Sequence, residues 1–186
     1  MKTNLRAPIV LLVIGTVSAV SISLVASFAR PRIESHRRAT FRTAIREVLP
    51  GAARFEPVKG RNNEFSGIDS IGQVVGYTVL AEGGGYQGVI RLLIGLSPDR
   101  TRLSRIAVLE NVETPGLGAK ITSDAFLRQF NGIPLTREIE YVLNSEPAFP
   151  QQVQAITGAT ISSRSVISII NRAVRSRQRP SAEEDK

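Results

Sequence analysis

QVVGYTVLAEGGGYQGVIRLLIGLSPDRTRLSRIAVLENV, residues 73–112, is the stretch on which the fold class turns. It holds three runs rich in β-branched and aliphatic residues: QVVGYTVLA from Gln73, YQGVIRLLIGL from Tyr86 and SRIAVLENV from Ser104. EGGG and SPDRTR separate them, and both are turn-like in composition. The pattern predicts an antiparallel meander. Toward the C terminus, Thr122-Ser123-Asp124 can cap a short helix through Ala125, Phe126, Leu127 and Phe130, which Asn131-Gly132 stops. EIEYVL from Glu138 reads as a further strand. A last helix opens near Ser162, with Val166, Ile169, Ile170, Ala173 and Val174 as its apolar face, and the polar tail after it is expected to be disordered.

Toward the N terminus, residues 52–72 combine turn formers (Pro57, Gly60, Asn62, Asn63, Gly67, Gly72) with Phe55, Val58 and Ile68, the signature of a loop with short strand pieces. Before it, Phe41, Ala44, Ile45, Val48 and Leu49 recur at one-face helical spacing until Pro50-Gly51, predicting a helix over 33–49. Between Arg6 and Arg30 lie 23 uncharged residues. As a helix they extend about 35 Å, enough to cross a bilayer. Ser27-Phe28-Ala29 offers a small-x-small cleavage site, but the run is longer than a signal peptide's apolar region, so we read it as a retained helix. The fold class is therefore α+β: an N-terminal segment 1–29 with a transmembrane helix at about 8–29, a juxtamembrane helix at 30–50, one domain with a mainly antiparallel sheet and flanking helices over 51–178, and a tail at 179–186.

Composition removes several chemistries. With no Cys there are no disulfides, thiolates, iron–sulfur ligands or thioether-linked haem. His36 is the single histidine and lies among arginines, so neither a His-based triad nor a multi-His metal site can form; it reads as a solvated side chain. No metal site or stand-alone catalytic constellation is expected. The net charge of +8 is concentrated: Arg30, Arg32, Arg37, Arg38, Arg42 and Arg46 stand against Glu34 alone, while from Glu47 onward 16 basic residues meet 15 acidic ones. Basic side chains gathered beside an apolar span favour anionic lipid headgroups over nucleic acid. By the positive-inside rule the same arginines would draw the following domain toward the cytoplasm.

Three segments carry the chemistry. Thr157-Gly158-Ala159-Thr160 stands immediately before the last helix. Its plain reading is a hydroxyl-rich cap; its functional reading is a phosphate site, since free N–H groups and the helix dipole favour an anion there, with a threonine hydroxyl as phosphoester acceptor. Glu113-Thr114-Pro115-Gly116-Leu117-Gly118 closes the third strand, as a Pro-Gly turn or as part of a site. Gly83-Gly84-Gly85-Tyr86 is either a hairpin loop or a place where a flat ligand meets backbone.

Taken in chain order, Gly72-x-Val74-x-Gly76-Tyr77, Gly85-Tyr86-x-Gly88, the 113–118 segment and Thr157–Thr160 with Ser163-Arg164-x-Val166 resemble the FMN-binding domain family over residues 8 to 177. Within it the chain looks most like the G subunits of Rnf electron transport complexes, and next like the C subunits of sodium-translocating NADH:quinone reductases; a flavin-free membrane scaffold with the same fold is a further alternative. The resemblance implies FMN joined through its phosphate to Thr160 by a flavin transferase that uses FAD. Thr157, Gly158 and Ala159 would complete the recognised motif. Glu113, Thr114, Gly116 and Leu117 would lie near the isoalloxazine, with Gly85 and Tyr86 as another wall. The family usually has an acidic residue where this chain has Gln154. The implied role is an electron-carrying subunit within an ion-translocating ferredoxin:NAD oxidoreductase complex of the bacterial inner membrane. Its partners would be the other subunits, and its flavin domain would be extracytoplasmic, opposite to the direction the arginines suggest.

Overall fold

The computed structural model describes residues 6–178. The tail at 179–186, expected to be disordered, lies outside them, as does the side chain of His36. The chain divides into two compact units, residues 1–40 and 41–186.

The apolar sequence of the first unit lies in helix α1 (Arg6–Val48), whose last turns belong to the second; α1 is the candidate membrane span among the described residues, and none of its apolar window is buried within the chain. Three of its hydroxyls suit that environment. Thr16 and Ser21 donate to the carbonyls of Leu12 and Val17, and Ser27 to that of Leu24, each at 2.8 Å. These three donors are thereby satisfied inside the helix, as a bilayer requires. The sequence reading divides this region into a span and a separate juxtamembrane helix, whereas α1 continues through Pro31. A proline there removes one backbone donor and crowds the preceding turn, but need not end the helix.

In the second unit, strands β1 (Arg54–Pro57), β2 (Glu64–Ile68), β3 (Val74–Gly84), β4 (Val89–Leu96) and β5 (Leu103–Glu110) form an antiparallel sheet in chain order, the predicted meander. Both faces are covered. Leu93 and Ala107 pack against Ala44, Ile45 and Val48 in the last turns of α1, the stripe read from helical spacing. On the opposite face Ile90, Leu92 and Ile94 join Val166, Ile169 and Ile170 of α3 (Thr160–Gln178), with Phe126 and Phe130 in edge contact at 5.3 Å. Phe126 belongs to α2 (Asp124–Leu127), a single turn followed by a 3-10 turn at Arg128–Phe130.

EGGG does not turn the chain where its composition predicts. Glu82, Gly83 and Gly84 remain in β3, paired with Arg91, Ile90 and Val89, and the hairpin loop is residues 85–88. The reason lies across the sheet: a Cβ on Gly83 would stand 2.6 Å from Ile169 Cγ1, so this glycine serves the close approach of α3. The strand expected from Glu138 is shorter, β6 (Glu140–Val142), and pairs in parallel with β7 (Gln152–Gln154), a strand the polar Pro150-Gln151-Gln152 approach does not announce.

Away from the motifs, Glu64 is 1% exposed. Its Oε2 accepts from Arg177 Nε at 2.9 Å and lies 3.6 Å from Arg61; Oε1 meets Arg100 at 2.7 Å as an ion pair without an aligned hydrogen bond. Arg100, at φ 58°, also stacks over Tyr77, 4.0 Å from its ring centre. One carboxylate thus ties the end of α3 to β2 and to the β4–β5 turn.

Candidate functional site

The N terminus of α3 is shaped by a short loop whose parts are close in sequence. Gly158 sits at φ +80°, a conformation that favours glycine, and Ala159 N–H then donates to Ile156 O at 2.9 Å. Ser163, fully buried, braces the turn: its hydroxyl accepts from Ile156 N–H and donates to Ala159 O, both at 3.0 Å. Neither motif threonine acts as a helix cap. Thr157, exposed, donates to Asn144 Oδ1 at 3.4 Å, while Thr160 begins α3 half-buried with no hydrogen bond from its hydroxyl to any described residue.

The second part comes from β5 and the turn beyond it. Glu113 is 4% exposed. Its Oε1 accepts from the backbone N–H of Tyr86 at 2.7 Å and of Gln87 at 3.3 Å, and its Oε2 from Ser162 Oγ at 2.6 Å. A single carboxylate therefore joins the β3–β4 hairpin loop, the 113–118 turn and the first turn of α3. Glycines make room for it: a Cβ on Gly85 would lie 2.2 Å from Glu113 Oε1, and one on Gly118 2.6 Å from Oε2. Gly85 thus accommodates the carboxylate of Glu113, with the loop closed by Gly85 N–H to Gly88 O at 2.6 Å. Thr114 accepts from Gln87 Nε2 at 2.8 Å, and its carbonyl accepts from Leu117 and Ala119, each at 3.1 Å. Gly116, at φ +77°, shapes the bend.

Between these segments lies a cleft of about 460 Å3 lined by Tyr86, Glu113, Thr114, Leu117, Gly118, Gly158, Ala159, Thr160, Ile161 and Ser162. Of the residues singled out in the sequence, Tyr86, Glu113, Thr114, Leu117, Gly158, Ala159 and Thr160 meet here; Gly85, Gly116 and Thr157 shape or flank it without lining it. Sequence reasoning gave no role to Ser162 or Gln87, and Ser163 entered it only as a letter in a motif. Two serines in a first helical turn look like any polar helix start, and Ser162 acquires its role from a residue 49 positions earlier.

The cleft suits a phosphorylated flat ligand. Its volume is within the usual range for small-molecule sites. One end presents the first turn of a 19-residue helix and the unbonded Thr160 hydroxyl, where a phosphate is favoured. Around it Tyr86, Leu117 and Ile161 are 64%, 49% and 47% exposed, giving an apolar rim for an aromatic ring. No cluster of three or more His, Cys, Asp or Glu suited to a metal ion occurs among the described residues.

Known proteins resemble this chain over most of its length. Residues 85–175 match the FMN-binding domain family. The chain is 35% identical to the G subunit of the ion-translocating oxidoreductase complex of Methanosarcina acetivorans, covering 93% of this chain and 94% of that protein. It is 33% identical to the G subunit of the Na(+)-translocating ferredoxin:NAD(+) oxidoreductase complex of Acetobacterium woodii, over 93% and 91% of the two chains. Among solved structures, NqrC of Shewanella oneidensis shares the fold, with a TM-score of 0.53 and 21% identity over 68% of this chain and 65% of that one. Taken with the cleft, these matches show that the chain belongs to the family of G subunits of ion-translocating oxidoreductase complexes and carries an FMN-binding domain.

Proposed function

We propose that this protein is the FMN-carrying electron-transfer subunit of an ion-translocating ferredoxin:NAD oxidoreductase complex, with its flavin held covalently on Thr160. The observation that carries the covalent reading is the Thr160 hydroxyl: first residue of α3, half-buried, bonded to no described residue and lining the cleft. A flavin transferase using FAD would join Thr160 Oγ to the phosphorus that bears riboflavin, releasing AMP and the hydroxyl proton. Bound FMN supplies the one- and two-electron chemistry, and the protein supplies tether, orientation and surroundings. Leu117 and Ile161 would support the ring, and Glu113 would keep the three cleft walls together. Through α1 the chain would be anchored once in the membrane, with Arg30 to Arg46 beside anionic headgroups and the flavin domain on the extracytoplasmic side.

The test is Thr160→Ala in the full chain, co-expressed with a flavin transferase and compared by intact mass and by fluorescence after denaturation. The native chain should carry one flavin per protein and the variant none. A flavin mapped to another residue, or fluorescence surviving in the denatured variant, would overturn the assignment.

A further inference from the structure

A second groove, larger than the Thr160 cleft at about 670 Å3, runs between β6 and α3 and includes Tyr141, Arg164, Asn171, Arg172 and Arg175 in its wall. The small β6–β7 sheet sets part of its edge beside this groove. In the parallel register, Glu140 N–H donates to Gln151 O at 2.9 Å and Val142 O accepts from Ala155 N–H at 3.0 Å, so residues 140 and 142 turn their backbone groups toward β7. Those of Ile139 and Tyr141 therefore point to the opposite edge. At Ile139 that edge is closed by one side chain: Asn171 donates from Nδ2 to Ile139 O at 2.9 Å and accepts from Ile139 N–H at 3.0 Å, as a neighbouring strand would. The outer edge of β7 is closed likewise at Gln154, whose N–H and C=O bond the amide of Gln129 at 2.7 and 3.3 Å. Among the described residues none bonds the N–H or C=O of Tyr141, which by the same alternation lie on the edge beside the groove.

The charge beside this open edge is unbalanced. Arg175 pairs with Glu138, but Arg164 and Arg172, both exposed on α3, make no ion pair with a described residue, and Glu140 is the one carboxylate left in the wall to offset them. Leu143, just beyond β6, is 54% exposed. An unpaired strand edge recruits another strand, and cationic side chains next to it select which one.

We propose that this edge docks an extended acidic segment of a partner protein, which adds a short strand to β6 at Tyr141 and turns its carboxylates toward Arg164 and Arg172. The surface shares no lining residue with the Thr160 cleft.

The probe is a fluorescein-labelled hexapeptide of alternating Val and Glu, titrated by anisotropy against the full chain in neutral detergent. Three comparisons accompany it: the Val-Lys peptide, the same Val-Glu peptide with alternate backbone nitrogens methylated, and the Arg164→Ala/Arg172→Ala chain. We expect the Val-Glu peptide to bind, the Lys peptide not to bind, and both the methylated peptide and the double variant to weaken binding at least tenfold. Methylation leaves the protein untouched, so the strand-pairing arm stands even where the double variant fails to fold. Absence of Val-Glu binding, equal binding of the Lys peptide, or binding indifferent to methylation would overturn the proposal, the last by showing charge attraction without strand addition. The Thr160→Ala chain should bind the peptide as the native chain does, which separates failure here from failure of the flavin assignment.

Discussion

Glu113 is the residue whose removal should most disturb the cleft without touching its threonine. Replacement by Ala deprives three donors of their acceptor: Tyr86 N–H, Gln87 N–H and the Ser162 hydroxyl. Tyr86 and Gln87 are exposed and can turn to water, but Ser162 is 2% exposed, and the space between Gly85 and Gly118 that the carboxylate fills would be left empty. A buried donor without a partner costs about 1–3 kcal/mol, and a hydrogen bond to a charged acceptor contributes about 1.5–3 kcal/mol. Allowing for the two groups that water can satisfy, we expect Glu113→Ala to cost about 2–4 kcal/mol in all. For a domain of this size that lowers Tm by roughly 6–12 °C. Glu113→Gln should cost about 1 kcal/mol, because its carbonyl can still accept from the loop and the Ser162 hydroxyl can rotate to accept from the amide. Thermal unfolding of the full chain in detergent, followed by circular dichroism, measures both. Under limiting flavin transferase the Ala variant should also acquire flavin more slowly, since the walls beside Thr160 are no longer joined. A Tm within about 2 °C of native for Glu113→Ala, or a Gln variant as unstable as the Ala variant, would refute the reasoning that this carboxylate holds the cleft together.

Gly83→Ala should destabilise by about 1–3 kcal/mol, because its Cβ would overlap Ile169, whereas Gly84→Ala, with nothing within 4 Å of the added atom, should be close to neutral; chemical denaturation of the two variants compares them directly. Glu64→Gln should cost about 2–4 kcal/mol by leaving Arg100 and Arg177 beside a neutral group, and the unfolding midpoint reports it. Asp99 accepts from Ser97 and Thr101, which hold its carboxyl down at about 2. Its folded value is depressed, so its contribution to stability is present above the ordinary aspartate range near 4 and fades as pH falls toward 2. Carboxyl titration by NMR should give that low midpoint in the native chain and a higher one in the Ser97→Ala/Thr101→Ala variant, in which the backbone N–H of residue 101 still donates to Asp99.

Local pattern made much of this protein legible. Runs of β-branched and aliphatic residues between turn-like segments announced the meander, and helical spacing announced the stripe of Ala44, Ile45 and Val48 and the buried face of α3, because these are features of local composition and periodicity. The Thr157–Thr160 motif was likewise readable, since a helix start and its preceding turn are short-range features. What sequence could not supply were relations between distant residues. Glu113 was legible as part of a motif, but nothing in its local sequence or in that of Ser162 announces the 2.6 Å bond between them. The glycines at 83–85 were legible as glycines, but whether they serve a turn or a close approach depended on distant residues: Ile169, 86 positions after Gly83, and Glu113 beside Gly85. The parallel pairing of β6 with β7, and with it the open edge at Tyr141, was decided by tertiary packing. Two three-residue strands carry too few side chains for any period to register, and their hydrogen bonds are completed by Asn171 and Gln129 from elsewhere in the chain.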